Sequence, residues 1–142
     1  YHGTVKGITP DVTKDNWTLD ATAGKFGRII ELRMSGEAVA STPMRTRVAR
    51  GSGGTTPTVV APGLFNPRSA ANAITFNSSA WSVQPTPAAV DVFAESWNSN
   101  GGVIRWLAAP DEEIIMIGAE QICCRNEIGT SVSTYSVVWS EA

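Results

Sequence analysis

A hydroxyl or thiol nucleophile needs a base held beside it, and the single histidine among the 142 residues is His2, at the start of the chain. Histidine-dependent catalysis is not expected. Paired carboxylates of the glycosidase kind must face each other across a cleft at a fixed few ångströms. Glu112 and Glu113 are neighbours in sequence and diverge, whereas Asp91 and Glu95 would converge only if residues 88–95 formed a short helix. The run Asp11-Val12-Thr13-Lys14-Asp15 opens like a calcium loop, but Asn16 stands where the loop needs glycine and Thr22 where it needs the closing glutamate. Gly51-Ser52-Gly53-Gly54 lacks the Lys-Ser/Thr pair that completes a phosphate loop. Cys123 and Cys124 are the only cysteines, and adjacent side chains on a strand point to opposite faces, so they read as reduced packing residues. The expectation is a protein that is not an enzyme and uses no metal or other cofactor.

Binding residues are easier to nominate. Arg45, Arg47 and Arg50 stand close together and run into the glycines at 51–54, which would make one edge basic. The net charge of -2 and pI near 5.3 nevertheless give no electrostatic reason to expect free nucleic acid as the main partner. Of the five tryptophans, Trp97 and Trp106 stand either side of Asn98-Ser99-Asn100-Gly101-Gly102. Paired across a hairpin they would form a platform for stacking on a sugar, or else fill the core. No stretch approaches the roughly 18 apolar residues of a membrane span, and the first residues carry no hydrophobic signal core. A soluble, unexported protein is expected, with no membrane partner.

The elements that must position these residues read as strands. Apolar residues make up 42% of the chain and charged ones only 17%, enough for one domain with a real core. Residues 17–21 and 44–50 alternate apolar and polar positions at the period of a strand, the latter placing Met44, Thr46 and Val48 on one face and Arg45, Arg47 and Ala49 on the other. Residues 26–34 read as a further strand whose consecutive Ile29 and Ile30 suggest that both faces are partly covered. Residues 51–87 are dense in Gly, Pro, Ser, Thr and Asn and are expected to hold only short strands, at 58–61 and 73–77, packed through Leu64, Phe65, Ile74, Phe76 and Trp81. Two hairpins are expected beyond them, 91–97 with 103–107 around the Asn-Gly step and 120–125 with 133–139 around Gly129. The pattern predicts an all-β, antiparallel β-sandwich of jelly-roll type over residues 16–142, preceded by an extended N-terminal arm, residues 1–15, with one short strand at 4–8.

The segments Gly101-Gly102-Val103-Ile104-Arg105-Trp106-Leu107-Ala108-Ala109-Pro110-Asp111-Glu112-Glu113 and Tyr135-Ser136-Val137-Val138-Trp139-Ser140-Glu141 resemble small structural proteins of tailed phages, of the capsid decoration or cement type. That resemblance covers about the last third of the chain. It implies a jelly-roll protein assembled in the bacterial host cytoplasm and carried in the virion, often trimeric, which clamps the major capsid protein or other virion proteins. The N-terminal arm, through Val5 and Ile8, and the Arg45, Arg47, Arg50 edge are then the expected contacts. The competing expectation is a carbohydrate- or receptor-binding module of a phage fibre or tail that uses Trp97 and Trp106.

Overall fold

The computed structural model describes residues 1–55, 57–65, 74–78 and 81–141. Two antiparallel sheets pack face to face as a β-sandwich, and no helix occurs among the described residues. The strands are β1 (His2–Ile8), β2 (Asp15–Ala21), β3 (Phe26–Gly36), β4 (Pro43–Thr55), β5 (Thr58–Val59), β6 (Ile74–Ser78), β7 (Val83–Asn98), β8 (Val103–Leu107), β9 (Ile114–Ile117), β10 (Gln121–Ile128) and β11 (Ser133–Glu141). Sheet A runs β1-β11-β3-β8, with β9 also on β3, and sheet B runs β5-β6-β2-β10-β4-β7.

The pairing is nested. The first strand pairs with the last, β2 with β10, β3 with β8 and β9, and β4 with β7. Added contacts of β11 with β3 and of β10 with β4 close the two sheets. The order is that of one long two-stranded ribbon wrapped round on itself, with β5 and β6 inserted at its far end. Each wrap moves the chain to the facing sheet, which accounts for the largest departures from the sequence reading. The turn at residues 98–102 occurs where expected, with Gly102 at φ 91°, but β7 pairs with β4 in sheet B while β8 pairs with β3 in sheet A. Likewise β10 and β11 lie in different sheets although Gly129, at φ 86°, turns the chain between them. Neither expected hairpin forms, because a turn signal fixes where the chain reverses and not which sheet receives it. Residues 88–95, which would have had to be helical to bring Asp91 and Glu95 together, are part of β7.

The core between the sheets is built from alternate residues of facing strands, among them Trp17, Leu19, Ile29, Met44, Phe76, Met116, Ile122, Tyr135 and Trp139, each no more than 2% exposed. Val5 belongs to this core at 7% exposed, so the segment expected to extend as an arm is the edge strand of sheet A, zipped to β11 from His2↔Val138 onward. Of the side chains expected to pack from the long excursion, Ile74, Phe76 and Trp81 are buried while Leu64 and Phe65 are exposed. Ala73, at the start of the expected strand there, lies outside the described residues.

Candidate interaction surfaces

The arginines expected to mark a basic edge sit on β4, an interior strand flanked by β7 and β10. Their heads are engaged by acids on neighbouring elements. Arg45 pairs with Glu127 at 3.8 Å, Arg47 with Asp91 at 2.5 Å, and Arg50 with Glu120 at 2.7 Å. Arg47 also donates to the Ala88 carbonyl and Arg50 to the Ile115 carbonyl at 3.0 Å, so Arg50 links sheet B to the margin of sheet A. These guanidiniums are fixed within the domain instead of forming an uncompensated positive edge.

Asp91 and Glu95 lie on one strand, four residues apart, a separation of roughly 13 Å at the rise of a strand. With Asp91 paired to Arg47, the two do not make a catalytic pair. No group of three or more His, Cys, Asp or Glu converges among the described residues. Asp11 caps its own turn, accepting from the Thr13 amide and hydroxyl at 2.8 and 2.6 Å, and these bonds hold its carboxyl below the ordinary value. It lines a cleft of about 510 Å³ together with Ile8, Pro10, Lys14, Trp81 and Gln84.

Trp97 and Trp106 do not form an exposed platform. Trp97 is 6% exposed, its indole N–H donates to Thr46 Oγ1 at 3.0 Å, and its ring meets Tyr135 edge-on at 6.4 Å. Trp106 is half-buried and packs against Phe93 across the side of the sandwich, 5.8 Å between ring centres. The tryptophan reading therefore resolves toward core packing.

Sequence reasoning missed a polar hub beneath Trp97. The Asn126 side chain is fully buried, and its Oδ1 accepts from Asn16 Nδ2 at 3.1 Å, Thr46 Oγ1 at 2.9 Å and the Tyr135 hydroxyl at 2.9 Å. Its Nδ2 donates to the Gly129 carbonyl at 3.1 Å. Four strands from both sheets thereby meet on one amide, and burial pushes the Tyr135 hydroxyl pKa up. Only the inward register of Asn126, two residues past Cys124 in the alternation Ile122, Cys124, Asn126, could have signalled it.

The outward faces of the two sheets differ sharply. On sheet B the far ends of β4 and β7 form a ribbon that lies against the outward side chains of β2 and β10. Gln121 Nε2 donates to the Gly53 carbonyl at 3.1 Å, Arg125 to the Pro85 carbonyl at 3.2 Å, and Gln84 accepts from the Asp15 amide at 3.1 Å. Beneath it Arg125 grips Asp15 with two bonds at 3.1 and 3.2 Å, and Thr18, Asn77 and Cys123 are each no more than 1% exposed. Burial pushes the carboxyls of Asp15 and Asp20 up, Asp15 despite its arginine, and it pushes both cysteine thiols up. Asp20 Oδ1 and Asn77 Oδ1 have no hydrogen-bond partner among the described residues.

Among the described residues sheet A has no such cover. Glu31 stands on its outer face between Arg33 and Arg105, the latter donating at 2.6 and 3.2 Å, and these bonds bring the Glu31 carboxyl down to about 2. The sheet edges are all blunted. β5 has two residues, β1 and β7 are bulged, β7 carries Pro85 and Pro87, and β8 is parted from β9 by the loop holding Pro110. Strand addition at an edge is thereby discouraged, and exposed apolar groups stand on faces and loops instead.

No family model, no curated protein and no solved structure matches the chain.

Proposed function

We propose that this domain is a non-enzymatic structural protein of a tailed-phage virion, of the decoration or cement type, which binds and stabilises the capsid shell through protein contacts. The nested strand order supports a jelly roll, in which two wrapped Greek keys give facing sheets ordered as β1-β11-β3-β8 and β2-β10-β4-β7. The observation that carries the functional reading is the insertion between β4 and β7. It presents Val59, Leu64 and Phe65 to solvent at 63%, 45% and 70% exposure, on a fold whose edges are closed to strand addition. The insertion is tied to the N-terminal strand by paired backbone bonds between His2 and Gly63, at 2.8 and 3.0 Å, and by the His2 ring against Phe65. Apolar side chains presented on a segment tied down in this way suit docking on another protein surface.

Residues 1–15 cannot serve as a free clamp without unzipping β1, so the contact surface shifts from Val5 and the three arginines to this insertion and to the Ile8 cleft, which Trp81 also lines. The test is cosedimentation of the purified domain with empty capsids of the phage that encodes it, followed by heating of the particles. Saturable binding at a fixed ratio to capsid subunits and a raised rupture temperature are expected, both reduced by Leu64→Ser with Phe65→Ser. Free passage of the wild-type domain, with no change in rupture, would overturn the reading.

A further inference from the structure

The cations of the two sheets are compensated differently. Arg45, Arg47, Arg50 and Arg125 of sheet B each hold an acid of their own. On sheet A, Lys6, Arg28, Arg33 and Arg105 stand on β1, β3 and β8, and among the described residues the one acid paired with any of them is Glu31. Glu37, Asp111, Glu112 and Glu113 in the flanking loops pair with none of the four, and Glu141 turns to the Ile74 amide and the Trp139 indole. The chain carries a net charge of -2, so the positive excess belongs to this face and not to the molecule. A patch opposite in sign to its surroundings orients an approaching partner.

Strand register concentrates this excess at one place. Thr4, Ser136, Arg33 and Arg105 lie directly opposite one another across β1, β11, β3 and β8, and His2, Val138, Glu31 and Leu107 form the next row on the same outer face. Arg33 and Arg105 both donate from Nε to one Glu31 oxygen, which brings the two nitrogens within about 6 Å of each other, two hydrogen-bond lengths. Like charges directly opposite on neighbouring strands are unfavourable, and Glu31 offsets only one of them. Both arginines are half exposed, and Arg33 Nη1 and Nη2 and Arg105 Nη1 have no partner among the described residues. The Thr4 and Ser136 hydroxyls share one bond at 3.1 Å and keep a second proton to donate. The row is rich in donors and short of one negatively charged acceptor.

The groups around the arginine pair are apolar. Val103 and Leu107, exposed at 64% and 54%, flank Arg105 on β8. On the other side Phe65 shares a hollow of about 290 Å³ with Ile30 and Val138, and Val138 is opposite Glu31. The exposed phenyl of the insertion and the arginine pair therefore belong to one surface. A carboxylate on a protein surface brings apolar neighbours with it, and arginine set among apolar groups is the composition of a protein interface. A phosphate polymer offers no such neighbours, and holding one rests on neutralising many phosphates.

We propose, resting on the docking reading above, that the outer face of sheet A receives an acidic side chain of a protein partner between Arg33 and Arg105, with the partner's apolar neighbours against Phe65, Val138 and Leu107. The probe is a short synthetic peptide of alternating glutamate and leucine, titrated into the isotope-labelled domain and followed by NMR. The Nε–H resonances of Arg33 and Arg105 are expected to shift, and the same peptide with glutamine in place of glutamate is expected to bind at least tenfold more weakly. Arg33→Gln or Arg105→Gln lowers the affinity about tenfold, the effect of one charged hydrogen bond. Either change leaves Glu31 one guanidinium, so the fold is preserved, and Ser52→Glu on the sheet B ribbon leaves binding unchanged. Arginine resonances that do not move overturn the proposal, as does equal binding by both glutamine variants with their melting profiles intact. Tighter binding of tripolyphosphate than of the peptide would make this a phosphate site and overturn the protein partner. Peptide binding at the arginines by a domain that passes freely by capsids overturns the virion reading and leaves this inference standing. Capsid cosedimentation undiminished in both glutamine variants does the opposite.

Discussion

Glu31 and Asp20 are both acids on outward-facing positions of central strands, yet their surroundings drive them in opposite directions. On the open face of sheet A, Glu31 is covered only by the two arginines that neutralise it, and its carboxyl is held far below the usual value of 4.5. On sheet B, burial takes Asp20 out of water, and it has no ion pair among the described residues. It receives an amide donor from Asn77 at 2.7 Å on one oxygen, the other oxygen has no hydrogen-bond partner among the described residues, and its carboxyl is raised above 3.8. Burial and charge compensation are thus separate variables. A residue can be out of contact with water because its counterions cover it, or because something indifferent to its charge does.

The contrast can be tested most strongly at Arg125. Arg125→Met removes the guanidinium that grips Asp15 beneath the ribbon and leaves that carboxylate, which has no solvent exposure, without its ion-pair partner. Equilibrium unfolding at neutral pH is expected to show a loss of about 3–5 kcal/mol. Arg105→Met on the open face should cost much less, since Arg33 and solvent remain to Glu31. A comparable loss at both sites would mean that the two faces do not differ as described.

Glu31→Gln is expected to cost about 1 kcal/mol at neutral pH, a figure reduced because both arginines are half exposed. Its pH dependence follows from a folded pKa lower than the unfolded one. The stability Glu31 contributes is complete above about 4.5 and is lost as pH falls from there through about 2. Wild type and variant should therefore converge at the acid end. Asp20→Asn should do the reverse. A carboxyl raised by folding penalises the ionised native state, so the penalty grows as pH rises from 3.8 through the raised value and is absent below. The variant is expected to match or exceed wild type by up to about 1 kcal/mol at neutral pH, with the gain vanishing in acid. Parallel pH profiles for these two variants would remove the distinction between the faces.

The smallest effect concerns Cys123 and Cys124, which point to opposite sides of sheet B and are both 1% exposed. With both thiols pushed up by burial, neither should be alkylated by iodoacetamide in mildly alkaline buffer until the protein is unfolded. Fast labelling of Cys123 alone would show that the ribbon lifts off sheet B. Fast labelling of both would point to opening of the core.

Much of the secondary structure was legible in the sequence because strand periodicity is local. Residues 44–50 display Met44, Thr46 and Val48 on the buried face as their alternation requires, and the reversals at residues 98–102 and around Gly129 fall where Gly and Asn place them. The adjacency of the two cysteines already forbade an ordinary disulfide. The partners of Arg45, Arg47 and Arg50 were not legible, since Glu127, Asp91 and Glu120 are 82, 44 and 70 residues distant in the chain. Nor could alternation reveal that Thr18, Cys123 and Asn77, on the outward side of sheet B, would be buried beneath a ribbon from β4 and β7.

The sequence by itself determined that this chain would form short antiparallel strands around an aromatic and aliphatic core, because the period of two and the turn residues act within a few positions of themselves. The tertiary structure alone decided which sheet each strand joins, that His2–Ile8 is an edge strand and not a free arm, and which outward face stays open. Those outcomes depend on contacts between the first strand and the last and between β4 and β7, and the register of one segment against another far along the chain is set by the mutual fit of whole faces.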